Sequence, residues 1–121
     1  MGETDLKKRT KSFEAAGLKI LDELPNNRKG WIVGDQLGRS GTGVGANYGA
    51  ACRARSSAEF IAKLGVVIEE ADESAYWLEL AMEDGLLDET AATPLWKEAD
   101  ELTAIMRASR KTAEKNKDRK E

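Results

Sequence analysis

The side chains that could carry chemistry in this chain are its carboxylates, one cysteine and a run of glycines, because the sequence contains no histidine. Ser-His-Asp triads, Cys-His pairs, histidine-ligated zinc and Glu-x-x-His di-iron sites are therefore excluded. Acidic residues cluster at 69–73 and 98–101. Without histidine, these clusters predict salt bridges rather than acid-base or metal chemistry. We expect a protein that is not an enzyme and holds no metal or cofactor.

The segment Gly41–Ala46 has the G-x-G-x-x-A spacing of a dinucleotide-binding loop. That motif needs a preceding strand within a βαβ unit, and the polar segment 34–40 does not predict a strand. Cys52 excludes an intramolecular disulfide because it is the single cysteine. We interpret it as a small helix residue, with a reactive thiol as the alternative if neighbouring Arg53 and Arg55 lower its pKa.

Length and hydropathy place the chain in the class of small single-domain proteins. It has 121 residues, and no apolar run approaches the roughly 18 residues of a membrane span. The first residues are basic but lack the apolar core of a signal peptide. We expect one domain over residues 1–121, without membrane association, in the reducing cytoplasm.

Inward-facing residues recur at alternating steps of three and four, which predicts packed helices and no strands. The four segments span about 5–24, 28–54, 57–84 and 88–114, and the polar tail beyond Ala113 is expected to fray. Ser56 and Glu59 have capping-box spacing, and Gly85 is a left-handed C-cap candidate. Short connections favour an all-α, antiparallel up-down-up-down four-helix bundle. A break at Gly41–Gly45 or at Pro94 remains open at this stage.

Polar residues also occur on the predicted inward face of the second helix. Ser40 and Asn47 lie seven residues apart there, and we predict a buried polar layer that includes Thr10 and Ser109 as partners. A ligand-binding role is the alternative. The same helix carries glycines at near-helical spacing, whose propensity cost must be offset by close approach of a neighbouring helix. These glycines are Gly30, Gly34, Gly38, Gly41, Gly45 and Gly49.

A second apolar face points away from the inward stripes. It contains Val66, Trp77 and Leu80 on the third helix and Trp31 on the second. Aromatic residues are enriched in the cores of protein interfaces, so these four residues predict an oligomer interface. Isolated surface apolar residues are the alternative.

Charge is distributed in blocks along the chain. Residues 1–58 carry net +4, residues 59–101 net −11 and residues 102–121 net +4. Three arginines of the second helix lie within about 40° on one side, and two further cations flank the next turn. These candidate nucleic-acid-binding residues are Arg28, Arg39, Arg53, Arg55 and Lys63. The overall pI of 5.2 argues against this assignment.

Four stretches together resemble a known family: Arg39–Tyr48, Ala51–Ser56, Phe60–Gly65 and Glu69–Glu79. The sequence resembles the four-helix bundle proteins encoded by intervening sequences of 23S rRNA genes. That family also includes the accessory variability proteins of diversity-generating retroelements. Relatives often have Ser where this chain has Gly43, and many have a polar residue followed by Glu at Gly49-Ala50. A role for that glutamate is therefore not carried over.

The resemblance implies a homopentamer of four-helix bundles and association with a reverse transcriptase and its RNA. Two functional hypotheses follow. The first is a non-enzymatic oligomeric adaptor that binds RNA or a reverse-transcriptase ribonucleoprotein through basic faces. The second is a purely structural or protein-interaction module whose acidic block forms the contact surface.

Overall fold

The computed structural model describes residues 2–120, and this range is helical apart from short connections. It contains α1 (Glu3–Ile20), a 3-10 turn (Leu21–Glu23), α2 (Arg28–Cys52), α3 (Ser57–Glu83) and α4 (Glu89–Lys120). No strand occurs within residues 2–120. The prediction of an all-α protein with four helices is confirmed. Within the same range, no helix is both long enough and apolar enough to cross a bilayer.

The helix boundaries follow local capping chemistry. The Asn27 side chain accepts a hydrogen bond from the Gly30 N–H at 3.0 Å and starts α2. Ser56 Oγ accepts from the Glu59 N–H at 3.1 Å, while the Glu59 carboxylate accepts from the Arg55 N–H at 3.2 Å. This reciprocal pair has the character of the predicted capping box. Gly85, with φ of 71°, ends α3 in the left-handed conformation, as predicted.

Several boundaries differ from those that the sequence predicts. The last turn of the first helix tightens into the 3-10 turn, and α2 continues unbroken through Gly41–Gly45. Pro94 lies inside α4. This helix also continues to Lys120 instead of fraying after Ala113. An ion pair between Arg110 Nε and Glu114 Oε1 (3.4 Å) spans the turn just before this extension. Cations near a helix C-terminus, such as those of the extension, are favoured by the helix dipole.

The contacts between α2 and α3 show that these two helices run in opposite directions. Lys29 contacts Asp84, and Ser40 contacts Ser74, so residue numbers rise on α2 as they fall on α3. The first half of α3 likewise lies beside the end of α4, where Gly65 approaches Arg110. The beginnings of α1 and α3 consequently share one end of the bundle with the ends of α2 and α4.

The core draws buried side chains from all four helices. The largest fully buried residues are Leu37, Val44, Leu64, Leu78, Leu102 and Met106. The stripe predicted for α1 is buried from Leu6 to Ile20. On α3 the inward-facing stripe predicted from the sequence includes Ile61, Ala75 and Met82, but these are only partly buried, whereas Val67, Ser74 and Ala81 are buried. The buried face of α3 is set by two neighbours, since this helix packs against both α2 and α4.

Candidate nucleic-acid interface

The fold separates charge along the long axis of the bundle. Dividing each helix at its midpoint gives a basic half (residues 2–11, 41–70 and 105–120) and an acidic half (residues 12–40 and 71–104). The basic half holds 14 basic and 7 acidic residues, whereas the acidic half holds 5 basic and 14 acidic residues. Their formal net charges are therefore +7 and −9. A separation of this kind creates surface potentials of opposite sign at the two ends.

The five cations predicted to bind nucleic acid do not form one patch. Arg53, Arg55 and Lys63 lie in the basic half, around the connection between α2 and α3. Arg28 begins α2 at the opposite end. A rise of 1.5 Å per residue places it about 37 Å along the axis from Arg53. The shared side of α2 was therefore an insufficient criterion, because the helix is long.

Arg39 is engaged within the protein. Its Nη1 lies 3.4 Å from Glu70 Oε1, and its Nη2 donates hydrogen bonds to the side-chain oxygens of Glu73 and Gln36. The Glu70 carboxylate lies against the bare backbone of α2 at Gly43. Burial raises the pKa of the Glu70 carboxyl, and the positive charge of Arg39 opposes that rise. Arg39 consequently serves the contact between α2 and α3 and is removed from the candidate interface.

Arg53, Arg55 and Lys63 have no ion partner among the described residues. Arg53 and Arg55 are exposed and Lys63 is partly exposed. Within residues 2–120, no carboxylate oxygen lies within 4.0 Å of any of these three charged groups. Unpaired cations at one end of the bundle are available to external anions.

Sequence analysis missed a row of cations on α4. They share exposed positions at four-residue spacing in its C-terminal half, a row that we call the α4 ridge. The ridge consists of Arg107, Lys111, Lys115 and Arg119. Its spacing was visible in the sequence, but the segment beyond Ala113 was expected to fray.

Arg9 on α1 is a basic residue whose charge is used inside the protein. Its guanidinium binds Glu98 at 2.7 Å and Glu101 at 2.9 Å, and these hydrogen bonds raise its pKa.

The buried polar layer has a different composition from the predicted one. Ser40 is fully buried, and its partner is Ser74, whose Oγ donates to Ser40 Oγ at 2.9 Å. Asn47 is only partly buried, and its side-chain amide donates to the Gly43 carbonyl at 2.8 Å within α2. The prediction for Asn47 was wrong because the buried stripe of α2 steps from Val44 to Tyr48. Thr10 is buried but bonds the Lys7 carbonyl.

The four residues of the predicted oligomer interface differ in exposure. Trp31 is 59% exposed, with its Nε1 donating to Asn26 Oδ1 at 2.9 Å. Trp77 and Leu80 are partly buried and line a recess with Ile32 on α2. Tyr76, 57% exposed, meets the Trp77 ring edge-on with centroids 5.1 Å apart.

Val66 is partly buried and lies about three helical turns before Trp77. The exposed apolar patch therefore centres on Ile32, Tyr76 and Trp77 in the acidic half. Trp31 lines a separate recess with Leu21 and Pro25. The Trp77 Nε1 is buried and has no hydrogen-bond partner within residues 2–120. The patch lies in the half of the bundle opposite to Arg53, Arg55 and Lys63.

Covalent or metal chemistry finds no support at the remaining polar groups. Burial raises the pKa of the Cys52 thiol, which argues against the alternative interpretation as a reactive thiolate. Burial also raises the pKa of Tyr48, which lies one helical turn before Cys52. Residues 2–120 contain no group of three or more Cys, Asp and Glu side chains arranged to hold a metal ion.

Comparison with known proteins supports the resemblance found in the sequence. A search of curated proteins finds no match. The fold is similar to a crystal structure of a protein of unknown function from the S23 ribosomal protein family of Bacteroides thetaiotaomicron. The two share 29% sequence identity with a TM-score of 0.84, over 92% of this chain and 99% of that one. Residues 3–108 match the model for the 23S rRNA-intervening sequence protein. The chain belongs to the 23S rRNA-intervening sequence protein family.

Proposed function

We propose that this protein is a non-enzymatic oligomeric adaptor that binds RNA through the basic half of its bundle. The observation that carries the proposal is the charge separation, with 14 basic and 7 acidic residues in that half. Arg53 and Arg55 lie at its end, between α2 and α3, and both are exposed and unpaired within the described residues. Phosphate oxygens are acceptors for such cations, and contacts to them need no deep pocket.

The acidic overall pI does not oppose this function. The excess of carboxylates lies in the acidic half, where it repels phosphate from one end only. Nucleic acid would therefore approach the basic end of the bundle and not the acidic end. The family name, which refers to 23S rRNA intervening sequences, supports RNA as the partner class. A reverse-transcriptase ribonucleoprotein is the more specific partner that the sequence resemblance implies.

Self-association is the second part of the proposal. The exposed apolar patch lies in the acidic half, so copies that associate there would leave their basic halves open to RNA. Burial of exposed tryptophan and tyrosine rings stabilises such contacts. A homopentamer, as the resemblance implies, would multiply the basic surface fivefold.

The RNA-binding part is tested with the full chain and a fluorescent RNA hairpin, by anisotropy across a salt series. The turn variant, Arg53→Glu with Arg55→Glu, reverses the charge of the two cations in the connection between α2 and α3. We expect the salt slope of binding to fall by about one for each phosphate that the protein no longer neutralises. Lys19→Glu with Arg28→Glu reverses two exposed cations of the acidic half and should leave binding nearly unchanged.

Two results would overturn the proposal. No binding of the hairpin at low salt would leave the purely structural or protein-interaction role. A sedimenting species of about 13 kDa at micromolar concentration would remove the oligomeric part, since 13.2 kDa is the mass of one chain.

A further inference from the structure

We propose that the α4 ridge is a second contact for the RNA phosphate backbone, continuous with the Arg53–Arg55 turn. This inference rests on the proposed function and extends it to residues that no comparison assigns. It predicts an elongated, sequence-independent track along the side and end of the bundle, instead of a single point contact.

The geometry of the ridge suits an extended anion. Its four cations are spaced by one helical turn, so consecutive members are about 6 Å apart along the axis. From Arg107 to Arg119 the ridge covers about 18 Å and sweeps roughly 120° around the helix. All four residues are exposed. A backbone that crosses the helix obliquely can therefore meet them in succession.

The ridge leads to the turn between α2 and α3. Ala58 and Ile61, from the start of α3, line the same groove as Lys117 and Asp118 from the end of α4. Arg55 precedes Ala58 by three residues. The last turn of the ridge and the Arg53–Arg55 turn consequently lie at the same end of the bundle.

The surroundings of the ridge favour phosphate over a membrane or an apolar protein partner. The exposed positions between its cations are Ala108, Thr112, Glu114, Asn116 and Asp118. A helix that lies in a membrane surface needs a face of large apolar side chains, which these residues do not provide. Protein interface cores are depleted of charge. Phosphate recognition, by contrast, requires only accessible cations.

Among the described residues, the ridge cations make no ion pair that would join α4 to another helix. Within the described part of the chain, none of its four cations pairs with a carboxylate, whereas the adjacent Arg110 pairs with Glu114. Three of the four also lie beyond residue 108, where the match to the family model ends. This segment is thus a feature of the chain outside the matched region, and its charge has no internal role to explain it.

The test uses the full chain carrying the ridge variant, Lys111→Gln with Lys115→Gln. Glutamine has nearly the helix propensity of lysine, and circular dichroism verifies that helicity is retained. We expect the salt slope for hairpin binding to decrease by about two. The decrease should be equal for two hairpins of unrelated sequence. Lys19→Gln with Lys97→Gln is the matched control, since both lysines are exposed in the acidic half.

The outcomes separate this inference from the proposed function. If the ridge variant keeps the wild-type slope while the turn variant loses affinity, the ridge inference is wrong and the proposed function stands. If the wild-type protein binds no RNA, both fail. If the ridge variant instead loses binding only to phosphatidylserine vesicles, the ridge is a membrane contact and the RNA assignment is overturned.

Discussion

Ion pairs between helices and ion pairs within one helix are distributed differently over the basic half and the acidic half of the bundle. Cations that join two helices reach carboxylates of the acidic half or of the boundary between the halves, as Arg9, Lys29 and Arg39 do. Two pairs within the basic half, Lys7 with Glu3 and Arg110 with Glu114, instead span one turn of a single helix.

This difference separates the stabilisation of the fold from the charge available for binding. Interhelical pairs fix the register of neighbouring helices, whereas exposed pairs within one helix contribute only a few tenths of a kcal/mol. The surplus cations of the basic half repel one another and gain from an external anion. Substitutions can test whether the halves share a common core and differ only at the surface.

The largest expected effect concerns that shared core. Leu64 in the basic half and Leu78 in the acidic half are both fully buried. Leu64→Ala and Leu78→Ala should each lower the free energy of unfolding by about 2–5 kcal/mol, because each leaves a cavity. Urea denaturation measures both. A decrease below about 1 kcal/mol for one of them would show that its half is loosely packed and that the core is not continuous.

A second comparison introduces the same methyl group at two glycines of α2. An added Cβ at Gly30 would lie 1.8 Å from the Pro25 carbonyl oxygen, whereas at Gly41 it meets nothing within 4 Å. Gly30→Ala should cost about 3 kcal/mol, since backbone must shift. Gly41→Ala should stabilise by up to about 1 kcal/mol through helix propensity. Equal destabilisation of the two variants in thermal denaturation would contradict this contrast.

Much of the fold could be predicted from the sequence because inward-facing residues repeat along each helix. The stripe of α1 from Leu6 to Ile20 is an example. The repeat could not locate the end of α4, since its last turns lack an apolar stripe and depend on α3 as a neighbour. It also failed at Asn47, where a step of four instead of three places Tyr48 in the core.

The candidate site was less predictable than the fold. Which side of α2 carries Arg39 follows from the helical period, but its carboxylate partners lie on α3. Their proximity depends on the register of the two helices, which a pattern within one helix does not contain. The distance between Arg28 and Arg53 could be calculated from the helix length. That the two lie in halves of opposite net charge depends on how the other helices are placed beside α2.

A third comparison concerns the ion pairs. Arg9, with a side chain only 22% exposed, connects the basic half to Glu98 in the acidic half. Arg9→Met should lower the free energy of unfolding by about 1–2 kcal/mol, because it leaves two carboxylates without their hydrogen-bond donor. Lys29→Met is the control, since Lys29 is 68% exposed and such pairs contribute less than about 1 kcal/mol. Equal effects of the two substitutions in urea denaturation would contradict the special role of Arg9.

The smallest expected effect is a pH dependence at the boundary between the halves. Burial raises the pKa of the Glu70 carboxyl above its ordinary value of 4.5, although Arg39 opposes this. A carboxyl whose pKa is raised by folding stabilises the protein below that ordinary value and loses this contribution as pH rises through the folded-state pKa. The unfolding free energy of the wild type should therefore fall relative to Glu70→Gln as pH rises from about 4 to about 7.

Removing the opposing cation sharpens this last test. In Arg39→Gln the Glu70 carboxyl loses its positive neighbour, so its pKa should rise further. The unfolding free energy of Arg39→Gln, relative to the Arg39→Gln/Glu70→Gln double variant, should then fall more steeply with rising pH. Urea denaturation at several pH values measures both pairs. If the difference between wild type and Glu70→Gln instead grows in favour of the wild type with rising pH, the attraction of Arg39 outweighs burial. The contact between α2 and α3 would then be a stabilising ion pair, and Arg39 would act as the other interhelical cations do.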